Sequence, residues 1–200
     1  MTIFGPRATP RYVLRADDAE EVASSFAAGH DWDLMTRDLA DPERGVEYEV
    51  IWATEGPVTF HYQEDHVLHE GYVYLAGRDL ALVARHEEDL AKTLDSWTQQ
   101  ELLDEAERQP PGPDRGRAIL RAGLGAPMKF DRRFFELITE AMRSPEAPVR
   151  AIGIRACSYS PVAEYRPELE RIAQGDTEQE VRDLAQATLR AFDEFEIGRP

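Results

Sequence analysis

The sequence predicts an α+β chain: an N-terminal domain with a small antiparallel sheet and covering helices, followed by a C-terminal α-helical repeat stack. Three observations predict it. From Gly45 onward apolar and polar residues alternate with a period of two, the signature of strands with one wet face. In the last third, similar segments return every 32 to 34 residues at helical spacing, as tandem helix pairs do. Between them stands Gln109-Pro110-Pro111-Gly112-Pro113, which no helix can cross. The expected domains are therefore residues 1–109 and 114–200.

Taken in order, residues 1–10 carry two prolines and a glycine and read as a loose lead-in. Tyr12, Val13 and Leu14 suit a short strand. Asp17 and Asp18 place carboxylates ahead of a helix whose Val22 and Phe26 share a face and which Gly29 ends. Trp32 to Leu39, with Leu34, Met35 and Leu39 apolar, reads as a further helical turn or two, stopped at Asp41-Pro42. Val46, Tyr48, Val50 and Trp52 then alternate with Glu47, Glu49 and Ile51, and after a turn at Glu55-Gly56-Pro57 so do Val58, Phe60 and Tyr62 with Thr59, His61 and Gln63. Glu64-Asp65 turns the chain into a strand from Val67 to Leu75, with Gly71 a bulge or a break. Short turns favour antiparallel neighbours, so a meander of three or four strands is expected. Leu80, Val83, Glu87, Leu90, Leu94 and Trp97 recur at helical spacing over the sheet, and Leu102, Leu103 and Ala106 extend or follow that helix.

The repeat is visible residue by residue. Val149-Arg150-Ala151-Ile152-Gly153 matches Val181-Arg182-Asp183-Leu184-Ala185 at a spacing of 32, and Phe135-Glu136-Leu137-Ile138 lies 34 before Leu169-Glu170-Arg171-Ile172. Phe134, Phe135, Ile138, Ala141 and Met142 fall on one side of a helix. Gly153, Ala156, Ala185 and Ala187 would let helices approach closely. Asp176 and Thr177 offer capping oxygens, and Pro145 or Pro148 suits a helix start. Gly123-Leu124-Gly125 reads as a helix terminus. The segments Pro148-Val149-Arg150-x-x-Gly153-x-x-Ala156 and Glu180-Val181-Arg182-x-x-Ala185, with Pro167-x-Leu169-x-x-Ile172 as a second helix, resemble the HEAT-repeat family in its small bacterial form. That resemblance covers about residues 115–195. It implies a curved stack for protein contacts in which the valines and alanines are core and the arginine is structural. The first unit departs from it, with Arg117-Ala118-Ile119 lacking an acidic-valine entry.

Charge divides the chain. Residues 1–110 hold 24 acidic and 9 basic side chains, whereas residues 111–200 hold 15 and 14, so nearly all of the net charge of −16 lies in the N-terminal part. Such a field repels a nucleic-acid backbone and attracts basic partners, although acidic side chains also simply keep a protein dispersed. Of the 23 basic residues, Lys92 and Lys129 are lysines and the rest arginines, in keeping with a GC-rich bacterial source. No run reaches the length of a membrane span and the N-terminus lacks a secretory pattern. Cys157 is the single cysteine, which suits a reducing cytoplasm and reads as a small buried hydrophobe.

Reactive constellations are sparse. His61, His66 and His69, with Glu64, Asp65 and Glu70, include credible metal ligands but match no ligand motif, and the default is solvent-facing histidines. The serines lack a nucleophile-elbow context and no glycine-rich phosphate loop occurs. Arg115, Arg117, Arg121, Lys129, Arg132 and Arg133 could form a basic stripe, but pairing with the acidic N-terminal part is the preferred reading. No cofactor, metal or catalytic residue is therefore assigned, and neither nucleic acid, membrane nor small molecule is expected as a partner.

The expected function is a non-enzymatic protein-binding module for a basic protein. Its character is similar to that of immunity proteins that neutralise basic nuclease toxins. Trp32, Trp52, Tyr62 and Tyr74 are the candidate rim anchors, since such side chains join apolar area to a polar tip. Glu47, Glu49, Glu64, Asp65 and Glu70 would supply the field. The alternatives are a regulatory adaptor using the helical surface alone, or a cofactor-handling enzyme.

Overall fold

The structure, a computed structural model, describes residues 6–41 and 46–198, with the side chains at 39–41 and 46–47 outside that description. The chain divides into two compact units, Met1–Thr98 and Gln99–Pro200. The first holds a five-stranded antiparallel sheet with flanking helices and the second a stack of packed helices. The α+β class is as expected. The division falls earlier than the proline run, because the helix at Gln99–Arg108 packs on the helix after it. The proline run is a turn inside the helical unit.

In the first unit the strands β1 (Tyr12–Val13), β2 (Asp33–Asp41), β3 (Val46–Ala53), β4 (Val58–Asp65) and β5 (Gly71–Gly77) are ordered β1-β5-β4-β3-β2. From Pro6 the chain already runs beside β5, with the Gly77 amide donating to the Pro6 carbonyl and Ala8 to Leu75. The register sets Trp52 against Phe60 and Phe60 against Leu75, and likewise Val50, Tyr62 and Val73, so that two rows of large apolar side chains cross one face. Helix α1 (Ala19–Gly29) lays Ala19, Ala23, Phe26 and Ala27 on that face. Helix α2 (Leu80–Thr93) adds Val83 and Leu90 to the same core, and the Asp79 carboxylate caps it by accepting from the Leu82 amide at 3.1 Å. Gly71 opens β5 where a Cβ would meet the Ala19 Cβ at 2.6 Å and the Tyr62 ring at 2.8 Å.

Three local expectations change. Residues 33–41 form a strand and not a helix, because the open backbone edge of β3 is satisfied by pairing such as Leu34 with Trp52 and Arg37 with Val50. The pairing slips between Leu34 and Thr36, and Leu34 and Met35 stay 53% and 49% exposed. The strand expected from Val67 begins at Gly71, since the Asp65 carboxylate accepts from the Val67 and Leu68 amides and locks a turn. Helix α2 stops at Thr93, after which Trp97 donates its amide to Val13 and Ser96 bridges to Leu14. The Pro42 stop lies outside the described residues.

The second unit comprises α3 (Gln99–Arg108), α4 (Pro113–Leu124), α5 (Arg132–Met142), α6 (Ala147–Tyr159), α7 (Arg166–Gly175) and α8 (Gln179–Glu194), with a 3-10 turn at Ala163–Tyr165. They pack as the hairpins α3/α4, α5/α6 and α7/α8, and α6 lies between α4 and α8. The pairing frame is thus one helix out of step with the expected one, in which α6 and α7 made a unit. Small residues set the spacing. A Cβ on Gly123 would sit 2.5 Å from the Ala156 carbonyl oxygen, and one on Gly153 2.6 Å from the Met142 amide nitrogen. Ala185 is likewise buried, whereas Ala187 is exposed.

The arginine of the repeat links one hairpin to the next. Arg150 holds Asp176 through Nε at 2.6 Å and Nη2 at 2.7 Å, and donates from Nη1 to the carbonyls of Ser144 and Pro145. Its counterpart Arg182 donates to the Asp176 carbonyl. Asp176 also accepts from the Glu178 amide, so it braces the entry to α8 and not the amides deeper in its first turn.

Candidate functional site

Each unit carries a concave site among the described residues. The first is an acidic recess of about 430 Å³ at the start of α1, bounded by β2 and β4. Five carboxylates line it, those of Asp17, Asp18, Glu20, Glu21 and Glu64, against one guanidinium, that of Arg37. Four of the carboxylates stand at the N-terminal end of α1, where the helix dipole favours negative charge. Glu20 accepts from the Tyr48 hydroxyl and the Arg37 guanidinium, both at 3.2 Å. Glu64 accepts from the Tyr62 hydroxyl at 2.9 Å. Burial, then the bond to Glu64, pushes the Tyr62 phenol far above its ordinary value, and burial, then Glu20, raises that of Tyr48. Both phenols therefore stay protonated and act as donors that fix the carboxylates in place.

Of the nine residues expected to meet a partner, the recess brings together Tyr62 and Glu64. The aromatic rim is not found: Trp32, Trp52, Tyr62 and Tyr74 are all buried. Trp32 and Trp52 each pack against Phe60, at 5.3 and 5.4 Å between ring centroids, because the apolar face of the sheet needs their area. Glu49 and Tyr74 lie on the other face of the sheet, and Asp65 is consumed in its turn. Glu70 stands half-buried at the start of β5. Glu47 is on β3 with its side chain outside the described residues. The recess adds Asp17, Asp18, Glu20 and Glu21, none of them among the expected binding groups, although they are four carboxylates within five consecutive residues.

The second face of the sheet is polar yet closed. Glu49 accepts from Gln63 at 2.5 Å and bonds His61 Nδ1 at 3.1 Å, while His61 Nε2 meets the Thr59 hydroxyl at 2.8 Å. The Tyr72 hydroxyl donates to Gln63 at 2.5 Å, and the His61 ring stacks on Tyr74 at 4.6 Å. The histidine cluster is thereby dispersed, with His61 inside this network and His66 and His69 exposed in the turn beyond it. Among the described residues no group of three or more histidine, cysteine, aspartate or glutamate side chains is placed to hold a metal ion.

The second concavity belongs to the helical unit. A cleft of about 960 Å³ opens where the N-terminal ends of α4 and α6 meet the C-terminal half of α5. Ile119, Phe135, Val149 and Ile152 line it, with prolines 111, 113, 145 and 148 around its edge. Of the basic residues expected to pair with the acidic N-terminal part, Arg121 meets Glu105, within residues 1–109, at 3.6 Å. Arg115 meets Glu140 at 3.2 Å, Arg132 meets Glu136 at 2.7 Å and Arg133 meets Asp131 at 2.9 Å, all within the helical unit.

Compared with family models, curated proteins and solved structures, the chain matches none. Among the described residues no helix is long and apolar enough to cross a membrane.

Proposed function

We propose that this protein is a non-enzymatic protein-binding module that takes a basic protein partner at its acidic recess, in the manner of an immunity protein neutralising a cationic toxin. The observation that carries this reading is the lining of the recess, where five carboxylates face a single guanidinium in one concave site. Lysine and arginine side chains of a partner would enter a field already fixed by Tyr48 and Tyr62, so little reorganisation is needed on binding. The N-terminal charge excess extends that field beyond contact distance and speeds encounter. The helical unit serves as a HEAT-like scaffold, and the setting is the bacterial cytoplasm.

The test is capture at low ionic strength and release by salt. The immobilised protein should retain a basic protein from its source cells. A variant carrying Asp17→Asn, Asp18→Asn, Glu20→Gln and Glu21→Gln, with an unfolding midpoint close to that of the parent, should lose it. Retention of the same protein by parent and variant alike would remove the recess from consideration.

A further inference from the structure

The two edges of the sheet are finished differently. At one, β1 is short and the chain closes over it, with the Trp97 amide donating to the Val13 carbonyl and Ser96 bridging to Leu14. At the other, β2 runs from Asp33 to Asp41 with β3 as its one neighbour in the sheet. Among the described residues no backbone bond reaches the outer side of β2, and Asp33, Leu34, Met35, Arg37 and Asp38 are all exposed. Such a row of unpaired amides and carbonyls is a template for a further strand. The register sorts its side chains. Leu34 and Arg37 stand opposite Trp52 and Val50, on the face that α1 covers, while Asp33, Thr36 and Asp38 stand opposite Ala53, Ile51 and Glu49, on the other. Arg37 is drawn to Glu20 at 3.2 Å, and Asp38 accepts from the neutral Thr36 hydroxyl at 2.9 Å. Among the described residues neither Asp33 nor Asp38 meets a cation, so the free charge along the edge is negative. A second copy would bring the same aspartates, and a part with 24 acidic and 9 basic side chains, against that edge. A cationic strand meets no such repulsion.

We propose that the outer edge of β2 takes an extended basic segment of the partner protein as a sixth strand. The segment pairs through its backbone along Leu34 to Asp38. Its lysine or arginine side chains meet Asp33 and Asp38 on one face, and an apolar side chain on the other face covers the exposed Leu34. Arg37 of β2 also lines the acidic recess, so the same segment leads into it. The inference deepens the function proposed above and rests on it for the basic character of the partner.

The experiment is titration of the full chain at low ionic strength with the peptide acetyl-Lys-Val-Lys-Val-Lys-Val-Lys-amide, followed by amide NMR and hydrogen exchange. Two further peptides carry N-methyl groups, one on its valine amides and the other on the lysine amides that follow them. Their charge is identical, but successive amides of a strand point to opposite edges, so one set faces β2 and the other faces solvent. The unmethylated peptide should bind saturably and protect amides between Leu34 and Asp38. One methylated peptide should bind at least about tenfold more weakly than the other, through lost backbone bonds. Asp33→Asn with Asp38→Asn should weaken the unmethylated peptide about fivefold, as two exposed ion pairs would. The added strand is overturned by no saturable binding up to about 1 mM peptide, or by equal affinity of the two methylated peptides. It is also overturned by a concentration-dependent dimer of the protein alone that protects the same amides, which gives the edge to a second copy. The variant neutralised at positions 17, 18, 20 and 21 separates this from the recess reading. If that variant releases the captured basic protein while the methylated peptides bind alike, the recess stands and the added strand falls. If the peptides differ while the variant still holds the protein, the edge stands and the recess falls.

Discussion

Replacing Asp176 by alanine tests whether successive hairpins are held together by the arginine of the repeat. The pair it breaks is enclosed, with side chains 11% exposed for Arg150 and 3% for Asp176. The substitution removes two charge-assisted bonds, at 2.6 and 2.7 Å, and the acceptor of the Glu178 amide. The guanidinium is left in place with the Ser144 and Pro145 carbonyls as its remaining partners. Breaking a buried pair from one side costs about 3–5 kcal/mol. The two surviving carbonyl bonds set the expectation at the lower end, about 3 kcal/mol. Urea unfolding followed by far-UV ellipticity would measure it. Arg150→Met in the same background should recover part of the loss, because no unpaired charge then stays inside. The bonds from Arg150 hold the Asp176 carboxyl below its ordinary value of 3.8. A carboxylate depressed in the folded state contributes stability that is complete above its unfolded value and is lost as pH falls through the folded one. The gap between parent and variant should therefore hold from neutrality to about pH 4 and close only below it. A cost under about 1 kcal/mol at neutral pH would refute the idea that this pair is an interior link.

Two glycines should respond with opposite signs. At Gly123 an alanine Cβ would meet the backbone of Ala156 at 2.5 and 2.8 Å, so α4 and α6 must separate. Gly123→Ala should destabilise by about 1–2 kcal/mol in spite of alanine's better helix propensity. Gly175 has nothing within 4 Å of its Cβ position, and Gly175→Ala should stabilise by about 0.5–1 kcal/mol in the same urea assay. His86 is buried against Trp32, and burial, then Arg85, lowers its pKa below the ordinary 6.5. It folds neutral, so its contribution is intact above pH 6.5 and declines as protons bind the unfolded chain below that. His86→Leu should flatten the fall in stability between about pH 7 and 5, read by tryptophan emission. Burial pushes the Cys157 thiol up, so iodoacetamide should label it only when the protein unfolds.

The strands β3 and β4 and the helices of the last third could be read from periodicity because each buries one face and leaves the other polar. Val50, Trp52, Phe60 and Tyr62 do so at a period of two. Phe134, Ile138, Ala141 and Met142 do so at three and four. What stayed hidden depends on contacts distant in sequence. Residues 33–41 carry no period that separates helix from strand, and their state is decided by the free edge of β3. The expected rim aromatics lie in the interior because tryptophan and tyrosine suit a core as well as an interface, and composition does not distinguish the two. The polar face holding Glu49, Gln63 and Tyr74 alternates as a solvent-facing side does, yet Gln63 and Tyr74 are buried and Gln63 bonds both Glu49 and Tyr74. The recess was half visible. Glu64 and Tyr62 are among the expected binding residues, but the run from Asp17 to Glu21 reads in sequence as helix-start chemistry alone, and only the fold brings the two groups together.

The most direct test of the acidic recess is the association rate constant of the captured basic protein, measured by stopped flow across ionic strength. Steering by the recess predicts a rate for the parent that falls on the order of tenfold as the Debye length shortens from about 30 to 8 Å. The variant neutralised at positions 17, 18, 20 and 21 should start lower and change little. Parallel salt dependences for parent and variant would contradict the assignment of partner binding to this recess.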